Sequence, residues 1–304
     1  MSRILRVGIV QMPVTNKREV NIAYLKNVIE EMMQQFIRPE IVISGELNLA
    51  FDPEPIPGPI SNEFCELARK YKVYLIPGTY PEKAPQLKEG ECYNSAPIIN
   101  PDGEIVDVYR KMFPYYPTEP STKPGDRYVV FDMPEKNTKI GVQICWDIDF
   151  PEVSRAETLM GAEVLIKLSM DMLPFRESEC HFPVVRAVEN QAYFISVNDV
   201  GNMAGFTLYG HSMIVDPSGK ILFEADGNPN ICVYPIDLDV VSTSREYGTL
   251  LMNQTLKHLA MINPPQPYAN RIQEAPLFKT LSAPRNTTGE FLEKIREIGV
   301  GKSL

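Results

Sequence analysis

INPDGEIV, residues 99–106, returns 116 residues later as VDPSGKIL, residues 215–222. Each copy sits between two apolar runs and pairs a proline with a glycine. Proline fixes φ near −65° and glycine tolerates positive φ, so Pro101-Asp102-Gly103 and Pro217-Ser218-Gly219 both read as turns. The spans 93–110 and 213–225 therefore read as hairpins. Two ordinary hairpins satisfy this pattern. So do two similar half-sheets packed as a sandwich.

Outward from these hairpins, strands and helices alternate. LRVGIVQM (5–12), EIVIS (40–44), Val73–Ile76, KIGVQIC (139–145), Glu163–Leu168, AYFISV (192–197) and Ile231–Ile236 read as strands. Ile22, Leu25, Val28, Ile29 and Met32 mark one helix face, and Phe64, Leu67, Ala68 and Tyr71 another. Helices are also expected at Glu152–Met160 and 184–191. This is the α/β pattern of sheets covered by helices. No Gly/Ser-rich linker interrupts it, so one domain is expected over residues 1–245. Residues 246–304, with NPPQPY (263–268) and APRN (283–286), are expected to form an extension. It would contain short helical pieces, the last near 290–298, packing on the body or a partner subunit.

Composition narrows the function. Thirty-nine acidic against 30 basic residues give a net charge of −9, the wrong sign for a nonspecific nucleic-acid binder. No window reaches the roughly 18–20 apolar residues of a membrane helix, and the N-terminal apolar run is too short for a signal peptide. The five cysteines form no CxxC pair, which fits reduced thiols in a cytoplasmic protein. The three histidines show no metal-ligand spacing, so neither metal nor cofactor is expected.

Four positions place reactive side chains at strand ends, where a sheet holds loops rigidly. Glu46 lies two residues past EIVIS, in apolar flanks. Lys111 follows VYR, Glu119 sits in FPYYPTEP, and Cys145 ends KIGVQIC. A thiol is mostly protonated at neutral pH and needs a base to become a nucleophile. His181 and His211 have no suitable context, whereas a buried glutamate serves if its pKa is raised. Each residue alone has a bland reading: a buried cysteine, a loop-capping glutamate, a surface lysine, a solvated loop acid.

Together they resemble the nitrilase superfamily, the carbon–nitrogen hydrolases. The resemblance rests on VISGELNLAF, DVYRKMFPYYPTEP and GVQICWDIDFPEVSR, with RAVENQAYFISVN and GHSMIVDPSGKILFEA downstream, and covers about residues 5–240. It implies a four-layer αββα sandwich that associates into homodimers or larger homo-oligomers. It implies Glu46 as general base, Lys111 as the charged partner and Cys145 as nucleophile. Glu119, eight residues after the lysine, matches the fourth catalytic member of aliphatic amidases and formamidases. CWDIDFPE instead resembles carbamoyl-putrescine amidohydrolases. Tyr116, Trp146, Met170, Asp171 and Met172 fall in or near the family's pocket loops, where the methionines suit an apolar acyl group and Asp171 a substrate amine. The expected activity is hydrolysis of a small aliphatic or aryl-aliphatic amide to carboxylate and ammonia through a thioester. The competing readings are an N-carbamoyl amidohydrolase, a nitrilase and a non-catalytic binding module.

Overall fold

The computed structural model describes residues 3–280 except Pro117, Ala204 and Asn263, together with Gly289 and Glu293. In chain order the first half runs β1 (Ile4–Gln11), α1 (Arg18–Gln34), β2 (Ile41–Ser44), α2 (Pro59–Tyr71), β3 (Tyr74–Ile76), β4 (Tyr80–Glu82), β5 (Tyr93–Ile99) and β6 (Ile105–Arg110). The second half runs β7 (Val130–Met133), β8 (Thr138–Ile144), α3 (Pro151–Leu159), β9 (Val164–Ser169), α4 (Arg176–Glu179), α5 (Phe182–Asn190) and β10 (Tyr193–Asn198). It continues through β11 (Val200–Met203), β12 (Phe206–Tyr209), β13 (Met213–Val215), β14 (Ile221–Glu224), β15 (Asn230–Asp237), α6 (Asp239–Tyr247) and α7 (Thr255–Ile262).

Two mixed sheets result. One has the order β15-β1-β2-β3-β5-β4, with β6 also paired to β5; the other is β14-β13-β10-β9-β8-β7. Each centres on three parallel strands, β1–β2–β3 and β8–β9–β10, followed by an antiparallel hairpin. The repeated segments are the turns of those two hairpins. Their ladders shift register at Ile98/Ile99 and at Ile214/Val215, the same offset of 116. Asn100 Oδ1 accepts the Asp102 and Glu104 N–H groups, and Asp216 Oδ1 accepts those of Ser218 and Lys220. Gly103 and Gly219 close the turns at φ 72° and 88°. The sandwich of two similar halves is thus the arrangement adopted.

Strand alternation decides the layers. Leu5, Ile43, Ile98, Ile140, Val142, Ile144, Ile166 and Ile195 meet between the sheets. Val10, Val42 and Leu75, on the opposite face, pack under α1 and α2 with Leu25, Ile29 and Phe64. Leu165, Phe194 and Met213 face Ala187 of α5. Strands buried on both faces read as continuous apolar runs. The layers are therefore helix, sheet, sheet, helix.

Three features escape a reading by pattern. β4 contains Pro81 and lies at a sheet edge, the position that tolerates a strand proline. β7 and the β11–β12 hairpin are too short to show alternation. The expected terminal helix near 290–298 lies outside the described residues apart from Glu293. No helix among the described residues is long and apolar enough to cross a membrane.

One buried carboxylate ties the two sheets together where the site forms. Asp147 Oδ2 accepts the Tyr109 hydroxyl of β6 at 2.6 Å and the Ile144 N–H of β8 at 2.9 Å. Its Oδ1 accepts the Phe113 N–H at 2.8 Å. Burial pushes the carboxyl up to about 6, against the pull of those hydrogen bonds. Asp147→Ala leaves three buried donors unpaired and is expected to cost about 3 kcal/mol or more. The check is a lower denaturant midpoint at unchanged m-value.

Candidate active site

The parallel strands deliver the reactive groups at their carboxyl ends, on the edge where open α/β sheets place their ligands. Glu46 follows β2, Cys145 follows β8, and Met170–Met172 follow β9. Lys111 follows β6 of the adjoining hairpin.

Glu46 is held from several directions. Its N–H donates to the Ser169 carbonyl at 3.1 Å, and its Oε2 accepts the Met170 N–H at 3.0 Å. Gly45 before it has no room for a side chain, because a Cβ there would lie 2.3 Å from the Asp199 carboxyl. The turn continues through Leu47 at φ 48°, whose N–H donates to Thr79 Oγ1 at 2.8 Å.

Lys111 is 1% exposed and lies between two carboxylates. Its Nζ donates to Glu46 Oε1 at 2.7 Å and to Glu119 Oε2 at 2.6 Å. Asn94 Nδ2 bridges the same pair, at 2.8 Å to Glu46 Oε1 and 2.9 Å to Glu119 Oε1. The Tyr115 N–H donates to Glu119 Oε2 at 2.8 Å. Glu119 is therefore no solvated loop acid. Burial alone would lower the lysine, but the negative charge around it, including the two carboxylates at hydrogen-bond distance, outweighs burial, and Lys111 stays charged. Burial raises Glu46 against the Lys111 charge, and Glu119 pushes it further up.

Cys145 adopts φ 48°, a left-handed conformation that costs an L-residue roughly 1–2 kcal/mol. It opens a 3-10 turn over Cys145–Asp149. The first N–H groups of such a turn have no acceptor within it, which leaves them free to donate to a group bound at Cys145. Burial pushes the thiol well above its ordinary value; the Glu46 charge adds to this and Lys111 opposes it. The resting sulfur is thus S–H rather than thiolate.

These four residues border one cavity of about 310 Å³. Its remaining wall is largely apolar, with Phe51, Met170, Met172, Met203, Phe206 and Leu208. A recess of about 30 Å³ also borders Cys145, beside Trp146, Asp171 and Phe175. Of the expected lining residues, Trp146, Met170, Asp171 and Met172 are in place. Tyr116 is not: it is half exposed, and its neighbour Tyr115 takes the inner position, its ring 4.5 Å from that of Trp146. No histidine borders either space.

Sequence reading missed Asn94 and Lys167. Asn94 gives no local signal. Lys167 does, as a lone charge inside the apolar run VLIKLS. Its Nζ donates to Asp171 Oδ2 at 2.6 Å and to Glu179 Oε2 at 3.0 Å. Asp171 is therefore already paired on one side, with Tyr209 donating to the same Oδ2 at 3.3 Å. Its Oδ1 faces the Cys145 sulfur at 3.5 Å.

Known proteins share this framework. Residues 6–246 match the carbon–nitrogen hydrolase family. The deaminated glutathione amidase of Dictyostelium discoideum is 33% identical over 272 residues, covering 81% of this chain and 92% of its own. An (R)-stereoselective amidase of a Pseudomonas species is 34% identical over 223 residues, covering 72% and 78%. The crystal structure of Saccharomyces cerevisiae Nit3, a member of branch 10 of the nitrilase superfamily, superposes with a TM-score of 0.72 at 28% identity, covering 81% of this chain and 95% of that one. The chain belongs to the carbon–nitrogen hydrolases of the nitrilase superfamily, enzymes that act on carbon–nitrogen bonds other than peptide bonds.

Proposed function

We propose that this enzyme hydrolyses a small amide with an apolar acyl body to carboxylate and ammonia, through a thioester on Cys145. One observation carries the reading: a buried ammonium clamped by two carboxylates shares the lining of a largely apolar cavity with the Cys145 thiol. Among its relatives several amidases stand against one probable nitrilase, which supports an amide rather than a nitrile. In this reading residues 1–245 form the hydrolase domain and residues 246–304 an extension. Exposed Leu250, Leu251, Met261 and Ile262 support association of that extension with a second copy.

The chemistry follows from the charges. Glu46 takes the proton from Cys145 as the thiolate attacks the amide carbon. Lys111 Nζ and the N–H of Trp146 hold the oxyanion, in a site where few waters compete. Glu46 returns the proton to the leaving nitrogen. Water, activated by Glu46 or Glu119, then cleaves the thioester. The covalent step divides one hard displacement into two easier ones. Glu119 keeps Lys111 fixed and charged throughout.

Cys145→Ala is expected to lower kcat by at least about 10³-fold at unchanged stability. Ammonia release from a panel of amides, N-carbamoyl compounds and nitriles measures this, and full activity in the variant removes the nucleophile assignment. Glu119→Gln weakens the clamp on Lys111 and is expected to lower kcat by about 10²-fold; near-normal turnover would show that the second carboxylate is dispensable. The pH profile tests Glu46. The base must be ionised, and burial raises its pKa, so kcat/KM should fall with acidification at a pH above the ordinary 4.5. Because the thiol lies well above 9, the profile should be flat from that limb to pH 9. A rise in rate through pH 8–9 would point to a free thiolate nucleophile instead.

A further inference from the structure

The recess beside Cys145 is smaller than the apolar cavity and, unlike it, is lined by Trp146, Asp171, Phe175 and Glu179. At about 30 Å³ it holds one water-sized group. Tyr115, Trp146 and Phe175 form its walls, and Asp171 and Glu179 line it. Aromatic faces and carboxylates together are the surroundings that favour an ammonium group. Asp171 is 6% exposed, and its Oδ1 meets only the weak S–H donor at 3.5 Å. Cys145, Met170 and Met172 border both spaces, so one acyl group on the sulfur reaches into each.

Charge points the same way. Around the recess Lys167 is paired with Asp171 and Glu179, and Asp149, which adjoins Glu179, also feels the Arg186 guanidinium. In the main cavity Lys111 stands against Glu46 and Glu119. Carboxyl groups thus outnumber cations around both spaces. A second carboxylate on the substrate meets no unpaired cation in either lining, whereas a positive group is attracted. Burial also holds Glu179 up to about 7, so an arriving cation can take the place of a proton at little electrostatic cost.

We infer that the recess binds an ammonium group on the carbon next to the scissile carboxamide, and that the substrates are α-amino amides with an apolar side chain. The inference rests on the amidase reading above and names its substrate class. The side chain lies in the 310 Å³ cavity and the ammonium lies against Asp171 Oδ1. The carboxamide carbon faces the sulfur between them. Two substituents of unequal size and charge are thereby sorted into two unlike spaces. One enantiomer is favoured for that reason.

The test uses a matched pair: L- and D-leucinamide against 4-methylpentanamide, the same molecule without the amino group. Succinamate serves as the anionic control. The expected kcat/KM is at least about tenfold higher for one leucinamide enantiomer than for 4-methylpentanamide, with succinamate slowest. Asp171→Asn should bring the leucinamide to 4-methylpentanamide ratio close to one. Reading a ratio within one variant cancels any general loss of activity. If Asp171→Asn is inactive, the same ratio is read as Kd by calorimetry in the Cys145→Ala protein, with and without Glu179→Gln. 4-Methylpentanamide equal to or better than both leucinamide enantiomers overturns the inference, as does a ratio unchanged by Asp171→Asn or by Glu179→Gln. Either result leaves the amidase reading standing. Failure of all these amides to release ammonia strikes the amidase reading itself.

Discussion

The structure is organised around an ammonium group kept out of water. Lys111 carries its charge into the space between two sheets, where an unpaired cation would cost several kcal/mol. Two carboxylates meet it at hydrogen-bond distance, and Asn94 fills the acceptor positions that the lysine leaves. Lys111 and the two carboxylates find their partners inside this network, while the Asn94 side-chain oxygen is buried without one. Glu46, Asn94 and the Lys111–Glu119 segment are three separate stretches of chain, so their mutual contacts fix how those stretches meet. The left-handed backbone at Leu47 and Cys145, and the Asp147 tie between the sheets, hold that meeting in place.

The two halves of the sandwich share a plan but not a task. Turn chemistry and register shift repeat at an offset of 116 residues, yet the same offset carries Asn94 onto Gly210 and Lys111 onto Gly227. Only the first hairpin bears polar groups for the site. The second half contributes Cys145 and the Lys167–Asp171 pair from its parallel strands. The repeat is therefore architectural. It builds two sheets with matching faces, and the chemistry occupies the edge where the strand ends of both converge.

The second buried lysine extends the same logic. Lys167 sits in a strand buried on both faces, a position that tolerates a charge only with partners in reach. Asp171 and Glu179 supply them, and in doing so they bring carboxylate oxygens beside the sulfur. A structural need, neutralising a buried cation, thus sets the polarity of the wall that a substrate would meet.

How much of this the sequence determined depends on the range of the interaction. Alternation in KIGVQIC and the helical spacing from Ile22 to Met32 fixed which faces are buried, because side-chain direction repeats every two residues in a strand and every 3.6 in a helix. The motif residues Glu46, Lys111, Glu119 and Cys145 were legible for the same reason: each stands at the end of a readable strand or in a marked loop. Tertiary structure alone decided that Tyr115 and not Tyr116 faces the cavity, since a loop has no fixed period. It alone decided that Asn94 joins two glutamates 48 and 25 residues away, and that Asp171, expected to be open toward a substrate, gives one oxygen to Lys167. Local pattern records how a residue lies relative to its own element. Partners brought from distant stretches are set by how the elements pack, and no single window of sequence contains them.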